Sequence, residues 1–176
     1  MYSILLSLAV LLNGFTLQAD NSYKKADLRR NLHLAATSKN TCETFIAHLN
    51  KYKGHDPVVY GYKAAAQGIM ADHAWNPYLK VKYVRNSAKI FEEILDKNPE
   101  AAEVRFLRYS LEYYIPRYLN MSGHLQEDRA IFLKSLFRYP QSDLDPEIFG
   151  IVRSFLLKHP DGLTAQERKQ IANIKA

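Results

Sequence analysis

Four Asx-Pro pairs divide the sequence and constrain its fold more strongly than any other feature. They are Asp56-Pro57, Asn76-Pro77, Asn98-Pro99 and Asp145-Pro146. An Asx side chain can accept a hydrogen bond from a free backbone N–H at the start of a helix, and proline at the first helical position sacrifices no intrahelical hydrogen bond. Thr164 and Glu167 form a capping-box pattern. These boundaries predict helices.

The apolar residues between the boundaries recur at intervals of three and four, as they do on one face of a helix. Val81, Val84, Ala88, Phe91 and Leu95 are one such series. Because the links are short, we expect antiparallel helical hairpins, in a stack or a bundle. We therefore predict an all-α fold of about eight helices, over residues 22–38, 41–53, 57–75, 77–97, 100–118, 124–138, 146–158 and 164–174.

Residues 1–19 predict a secretory signal peptide, and residues 20–176 a single all-helical domain. Ile4 to Leu12 is an apolar run, shorter than the roughly 20 residues that span a bilayer. The small residue Ala19 precedes the first charged residue, Asp20, as at a cleavage site. We expect export to the periplasm or the exterior. A buried N-terminal helix is the alternative.

The basic residues of this chain, whose net charge is +6, are most concentrated in the segment that holds Lys24, Lys25, Arg29 and Arg30. On an exported protein, such a cluster suits an acidic envelope surface or an acidic partner protein, and no nucleic acid is expected. A solvated lysine-rich face is the simpler alternative. The lone cysteine, Cys42, lies on an apolar stripe, which predicts a small buried side chain.

The segment ILDKNPEAAEVRFLRYSLEYYIPRYLN, residues 94–120, is dense in Arg and Tyr. Arg108 lies one helical turn before Glu112, where the two side chains can pair. Pro116 should kink or end the helix near Ile115, because proline removes a backbone hydrogen bond. Spacing predicts that one face of this helix is buried, with Val104, Leu107, Leu111, Tyr114 and Tyr118.

Tyr and Arg side chains are frequent anchors of protein interfaces, and a kinked helix that carries them can line a groove. We therefore predict a groove with helices 77–97 and 100–118 as its walls. The alternative is ordinary packing, with arginines that extend along the surface. The candidate binding residues are Tyr78, Arg105, Arg108, Tyr109 and Tyr113.

No catalytic residue, cofactor or metal site is predicted. The sequence has no G-x-S-x-G, phosphate-binding glycine loop or H-E-x-x-H motif. His73, Asp72 and Glu92 would be the residues of an alternative, hydrolase-type enzyme. A further group, His124, Glu127 and Asp128, lies within one turn, but a zinc site needs at least three strong ligands, and acidic residues in a first helical turn already favour the helix dipole.

Ser87, Phe91, Ile94 and Pro99 match the second half of a tetratricopeptide repeat, and Tyr78 falls at its tyrosine position. This stretch, about a fifth of the chain, resembles that repeat. Ala71 and Ala74 stand where the repeat has Trp and Leu, and Pro77 interrupts its helix. The resemblance implies stacked helical hairpins.

A second resemblance rests on EVRFLRYSLEYYIPRYLN and the following HLQEDRAIFL. Residues 78–140 resemble a segment of small exported helical proteins of Bacteroidota. The resemblance implies export and a tetratricopeptide-like helical fold, and it carries no catalytic motif. From these patterns we expect an interaction or scaffolding module of the cell envelope that binds a partner protein.

Overall fold

The computed structural model describes residues 23–174, and this part of the chain is all-helical, with no β-strand. The predicted all-α class and its eight helices are confirmed, and the helix packing is consistent with a bundle or a stack. The predicted signal peptide, residues 1–19, lies outside the described residues. The helices are α1 (Lys25–Thr37), α2 (Lys39–Leu49), α3 (Pro57–His73), α4 (Pro77–Leu95), α5 (Ala102–Tyr114), α6 (Leu125–Phe137), α7 (Pro146–Lys158) and α8 (Ala165–Asn173), with a 3-10 helix at Arg117–Leu119.

Three of the four Asx-Pro pairs begin helices as predicted. The side chains of Asp56, Asn76 and Asp145 each accept a hydrogen bond from a backbone N–H in the first turn of α3, α4 and α7. The capping box of Thr164 and Glu167 at the start of α8 is also confirmed. These caps satisfy backbone donors that would otherwise have no partner in the helix.

The remaining pair, Asn98-Pro99, does not cap a helix, so that prediction was wrong. Asn98 Nδ2 donates a hydrogen bond to Ile94 O, which belongs to the preceding helix. α5 begins only at Ala102, whose backbone N–H donates to Asp143 Oδ2 at 3.0 Å. A carboxylate 41 residues further along the chain therefore accepts the hydrogen bond that a local N-cap side chain would otherwise accept. The spacing of neighbouring residues cannot predict such a long-range contact.

α5 ends at Tyr114, with Ile115 as its C-terminal cap residue, as Pro116 predicted. The predicted range 100–118 was therefore too long, and the prediction that Tyr114 and Tyr118 are buried was wrong. Tyr114 is 65% exposed and Tyr118, in the 3-10 helix, is 85% exposed. The apolar face of α5 ends where the helix leaves its neighbours, so the last tyrosines extend beyond the core.

α5 lies between two apolar cores and belongs to both. Its Val104 and Leu107 pack into the first core, which α1 to α4 complete around Leu28, Phe45 and Tyr62. On its other side, a second core joins α5 to α6, α7 and α8. The second core includes Ala102, Phe106, Tyr109, Phe132, Leu136, Phe149, Val152, Leu156 and Ile171.

Gly68 on α3 permits a close approach of three helices. A Cβ at this position would lie 2.8 Å from Leu111 Cδ1 on α5 and 3.2 Å from Ser87 Oγ on α4. Ser87 Oγ in turn donates a hydrogen bond to Ala64 O at 2.7 Å. Small residues thus bring α3 and α4 close together at this point. No helix within residues 23–174 is long and apolar enough to cross a membrane.

Candidate functional site

The polar face of α5 is buried against α6. Arg105, Arg108 and Glu112 lie on this face at helical spacing, and all three are buried. Asp128 of α6 is fully buried between the two arginines. Its carboxylate accepts hydrogen bonds from Arg108 Nε and Nη2, each at 2.7 Å, and from Arg105 Nη1 at 2.8 Å. A buried charge is stable only when paired in this way.

Glu112 is paired with His124 and not with Arg108, so the predicted Arg108–Glu112 pair was wrong. The backbone N–H of His124 donates to Glu112 Oε2 at 2.9 Å, and His124 Nδ1 lies 2.7 Å from Glu112 Oε1. Because His124 is the N-cap residue of α6, this contact fixes the start of that helix on the end of α5. Pairing between helices therefore replaces the expected pairing within α5.

Arg108 keeps one hydrogen-bonding nitrogen unused. Nε and Nη2 bind Asp128, whereas no residue among those described accepts a hydrogen bond from Nη1. No fully buried side-chain nitrogen within this part of the chain lacks a partner, so Nη1 must reach solvent although Arg108 as a whole is only 5% exposed. Arg108 lines the cleft described below.

A second buried ion cluster joins α1, α5 and the start of α7. Arg29 Nη2 lies 3.0 Å from Glu103 Oε1 and 2.7 Å from Asp145 Oδ2, and Nη1 lies 2.7 Å from Glu147 Oε2. Tyr62 Oη also donates to Glu103 at 2.8 Å. Burial alone would lower the pKa of Arg29, but its carboxylate partners raise it above the ordinary value. Arg29 is therefore a structural cation.

The predicted basic cluster is divided by this arrangement. Arg29 is buried, and Arg30 Nη2 pairs with Asp27 Oδ1 at 2.8 Å. Lys24 is exposed, and Lys25 is half-buried. Of the four basic residues predicted to contact an acidic envelope surface, Arg29 is thus enclosed by carboxylates, and Arg30 is already paired with Asp27 at the surface.

The three predicted aromatic site residues lie in different surroundings. Tyr109 is buried in the second core, where its ring packs edge-on against Phe132. Tyr113 is half-buried, and its hydroxyl donates to Asp161 Oδ2 at 2.5 Å, a hydrogen bond that raises the pKa of Tyr113 to about 12. Tyr78 is exposed near the start of α4. The structure does not bring the five candidates into one groove.

A cleft of about 400 Å³ nevertheless lies between α4 and α5, with α3 as its floor and the segment after α5 as its outer edge. The volume falls within the range of ordinary binding pockets. Arg108 is the one predicted site residue that lines it. Most of the lining is apolar, and it includes Val84, Ala88 and Phe91 from α4, Leu111 and Tyr114 from α5, and Ile115, Tyr118, Leu119 and Met121 beyond α5.

Two exposed tyrosines line this cleft, and two further exposed aromatic residues lie at or near the connection from α3 to α4. Tyr114 and Tyr118 line it directly, and Asp72 and Lys80 line it on either side of the α3–α4 connection. Trp75, which is 88% exposed, lies in that connection, and Tyr78 is exposed in the first turn of α4. Sequence spacing placed Tyr114 and Tyr118 in the core and therefore missed them. Their position after or beside a helix-breaking proline was the signal that could have shown their exposure.

The candidate catalytic residues do not converge. His73 Nε2 donates to Ala35 O at 2.8 Å, which ties the end of α3 to α1. Asp72 is exposed at the edge of the cleft. Glu92 is exposed on α4, twelve residues beyond Lys80, and is thus about 18 Å further along the helix. These three side chains have separate surroundings.

The described residues contain no group of three or more His, Cys, Asp or Glu that could hold a metal ion. His124 contacts Glu112, whereas Glu127 and Asp128 bind Arg105. Cys42 is fully buried, as its apolar stripe predicted, and burial raises the pKa of its thiol to about 11. A thiol of this kind is a poor nucleophile at neutral pH.

No protein-family model matches this sequence, and comparisons with curated proteins and with solved structures find no significant match. Function is therefore inferred from the geometry of the chain.

Proposed function

We propose that this protein is a binding module that holds an apolar segment of a partner protein in the α4–α5 cleft. The supporting observation is the cleft itself, a concavity with a volume of about 400 Å³ and a mostly apolar lining. Leu111, Leu119 and Met121 are only half-buried there. Covering them would remove apolar surface from water, which is the main favourable term in most protein association.

The surroundings of the cleft also favour a protein partner. Tyr is enriched at the centres of protein interfaces, and Tyr114 and Tyr118, which line the cleft, are both exposed. Export to the cell envelope, which residues 1–19 predict, remains a prediction and would place the partner there. A scaffolding role follows if the partner belongs to a larger assembly.

Site-specific photo-crosslinking in cells that naturally make the protein tests this proposal. A photoreactive phenylalanine would replace Tyr118, which lines the cleft, or Ile151, an exposed residue of α7 that serves as the matched control. We expect one defined protein adduct from position 118 and none from position 151. The Ala88→Trp variant, which fills the cleft, should abolish that adduct while circular dichroism shows an intact fold.

An adduct that forms equally from both positions, or that persists when the cleft is filled, would contradict the proposal. The same holds if position 118 captures no protein under conditions in which the chain is folded and correctly located. An adduct at position 118 is not sufficient evidence on its own, because a photoreactive side chain at an exposed position can react with abundant neighbouring proteins. The deciding result is whether the Ala88→Trp variant loses that adduct.

A further inference from the structure

We infer that the partner bound at the cleft is a second copy of this chain, an inference that rests on the proposed function. Each copy places Trp75 against the α4–α5 cleft of the other across a two-fold axis. Trp75 is the one tryptophan of the sequence, and it is 88% exposed. Tryptophan is highly buried on average, so an exposed tryptophan within a larger aromatic patch indicates an interaction surface.

Trp75 lies at one end of the molecule with three exposed tyrosines. A Cβ at Gly61 would lie 3.2 Å from Val104 Cγ2, and one at Gly68 would lie 2.8 Å from Leu111 Cδ1. α3 and α5 therefore run in the same direction and finish at the same end. α4 begins there too, because only residues 74–76 separate it from α3. The exposed aromatic residues at this end are Trp75, Tyr78, Tyr114 and Tyr118.

The cleft reaches the same end of the molecule. Asp72 in the last turn of α3 and Lys80 in the first turn of α4 both line it. Trp75 follows Asp72 by three residues, which span at most about 11 Å. A projecting indole and an apolar recess therefore lie close together. Two copies that meet at this end can exchange them reciprocally, as an isologous two-fold interface requires.

The connection between α3 and α4 holds Trp75 in place before any partner binds. On one side of it, Asn76 Oδ1 accepts a hydrogen bond from the backbone N–H of Tyr78 at 2.8 Å. On the other side, His73 Nε2 lies 2.8 Å from Ala35 O and ties the end of α3 to α1. Association then requires little ordering of the chain, which reduces its entropic cost.

The two exposed charges among the lining residues, Asp72 and Lys80, favour a second copy. Neither side chain forms an ion pair or a hydrogen bond within residues 23–174. Their charges are opposite, so the edge that they form favours neither a uniformly acidic nor a uniformly basic partner. Across a two-fold axis, Asp72 of each copy can face Lys80 of the other. The edge is thus complementary to itself, and a dimer gains two ion pairs.

Analytical ultracentrifugation of the purified full chain at sedimentation equilibrium tests the inference. Over concentrations from about 1 to 300 μM, we expect a reversible equilibrium between monomer and dimer. Trp75→Ala should raise the dissociation constant at least about 100-fold, because a two-fold axis removes two interface anchors at once. Ala88→Trp, which fills the cleft, should have a similar effect. Ile151→Ala, at an exposed position of α7, is the matched control and should leave the dissociation constant unchanged.

Charge reversal tests the pairing across the axis. Asp72→Lys alone and Lys80→Asp alone should each dimerise at least about 10-fold more weakly than the wild type, because like charges then face each other. An equimolar mixture of the two variants should recover association, since each supplies the charge that the other lacks. Lys53→Asp makes the same change in net charge as Lys80→Asp, but it lies at the opposite end of α3 and should have no effect.

The outcomes separate this inference from the proposed function. A chain that stays monomeric, while position 118 crosslinks to a different protein, would overturn the inference and support the proposed function. A dimer that survives both Trp75→Ala and Ala88→Trp would overturn the inference, because its interface would lie elsewhere. If the chain stays monomeric, position 118 captures no protein, and the fluorescence of Trp75 shifts only with phosphatidylglycerol vesicles, both the second copy and the protein-binding function are wrong.

Discussion

Asp128 is the residue on which the polar face of α5 depends, because it neutralises two buried arginines. Removing one partner of a buried ion pair leaves an uncompensated charge and costs about 3–5 kcal/mol. We expect Asp128→Asn to lower the free energy of unfolding by about this amount, measured by urea denaturation. Glu127→Gln is the control. Glu127 also binds Arg105, but it is exposed, and its loss should cost no more than about 1 kcal/mol. Similar losses from the two variants would contradict this assignment.

The less buried carboxylates of the two ion clusters predict acid sensitivity. Arg105 holds the pKa of Glu127 below its ordinary value of 4.5. Burial alone would raise the pKa of Asp145, but its contacts with Arg29 and its hydrogen bonds from the backbone N–H groups of Ile148 and Glu147 together lower that pKa from 3.8. The unfolded chain therefore takes up these protons at a higher pH than the folded chain, and stability falls as pH decreases through and below about 4.5.

Urea denaturation at a series of pH values between 3 and 6 checks this expectation. In Glu127→Gln, the decrease in unfolding free energy below about pH 4.5 should be shallower than in the wild type, because one contributing carboxylate is gone. Glu43→Gln, at an exposed position of α2 outside both ion clusters, supplies the baseline. An identical pH dependence in all three proteins would show that the Arg105–Glu127 contact does not persist in solution.

At the scale of elements, the sequence predicted helices well but predicted the surroundings of α5 poorly. Helix starts depend on neighbouring residues, such as Asp56 or Thr164 with Glu167, and these signals are local. The burial of Arg105 and Arg108 depends on Asp128 of another helix, 23 and 20 residues away. Spacing along one helix indicates which residues share a face, but not which carboxylate will cover it.

The candidate site shows the same division. A groove was predicted between helices 77–97 and 100–118, and a cleft does lie between α4 and α5. Its lining differs from the predicted set, because α6 to α8 cover the side of α5 that carries Tyr109. That cover comes from residues later in the chain, and no periodicity within α5 reveals it.

Two helical glycines should respond oppositely to alanine. Nothing lies within 4 Å of a Cβ placed at Gly150 on α7, so Gly150→Ala should raise the free energy of unfolding by about 0.5–1 kcal/mol through helix propensity. At Gly61 on α3, the same atom would lie 3.2 Å from Val104 Cγ2 and 3.3 Å from Leu107 Cδ1. Crowding there should leave Gly61→Ala at least about 1 kcal/mol less stable than Gly150→Ala. Equal gains, measured by thermal and urea unfolding, would show that α3 and α5 are less closely packed than described.

At the scale of the whole molecule, α5 should make the two cores unfold together. Phe132 lies in the second core and contacts Phe106 of α5. Phe132→Ala should cost about 3–5 kcal/mol and should speed hydrogen exchange of α2 amides, although α2 belongs to the first core. Phe137→Ala, at a more exposed position of the same helix, is the control. Faster exchange confined to α6, α7 and α8 would show two separately unfolding units.

The central claim, that the α4–α5 cleft is where this molecule binds an apolar segment of a partner protein, is tested most directly by methyl NMR. The full chain, labelled at Ile, Leu, Val and Met methyl groups, would be titrated with a synthetic 15-residue peptide that carries leucines at helical spacing and glutamines between them. We predict that the shifts concentrate on cleft methyls, those of Val84, Leu111, Leu119 and Met121, and spare Val152 and Ile171 in the second core. Shifts that leave the cleft methyls unchanged, or that concentrate on the second core, would contradict the claim.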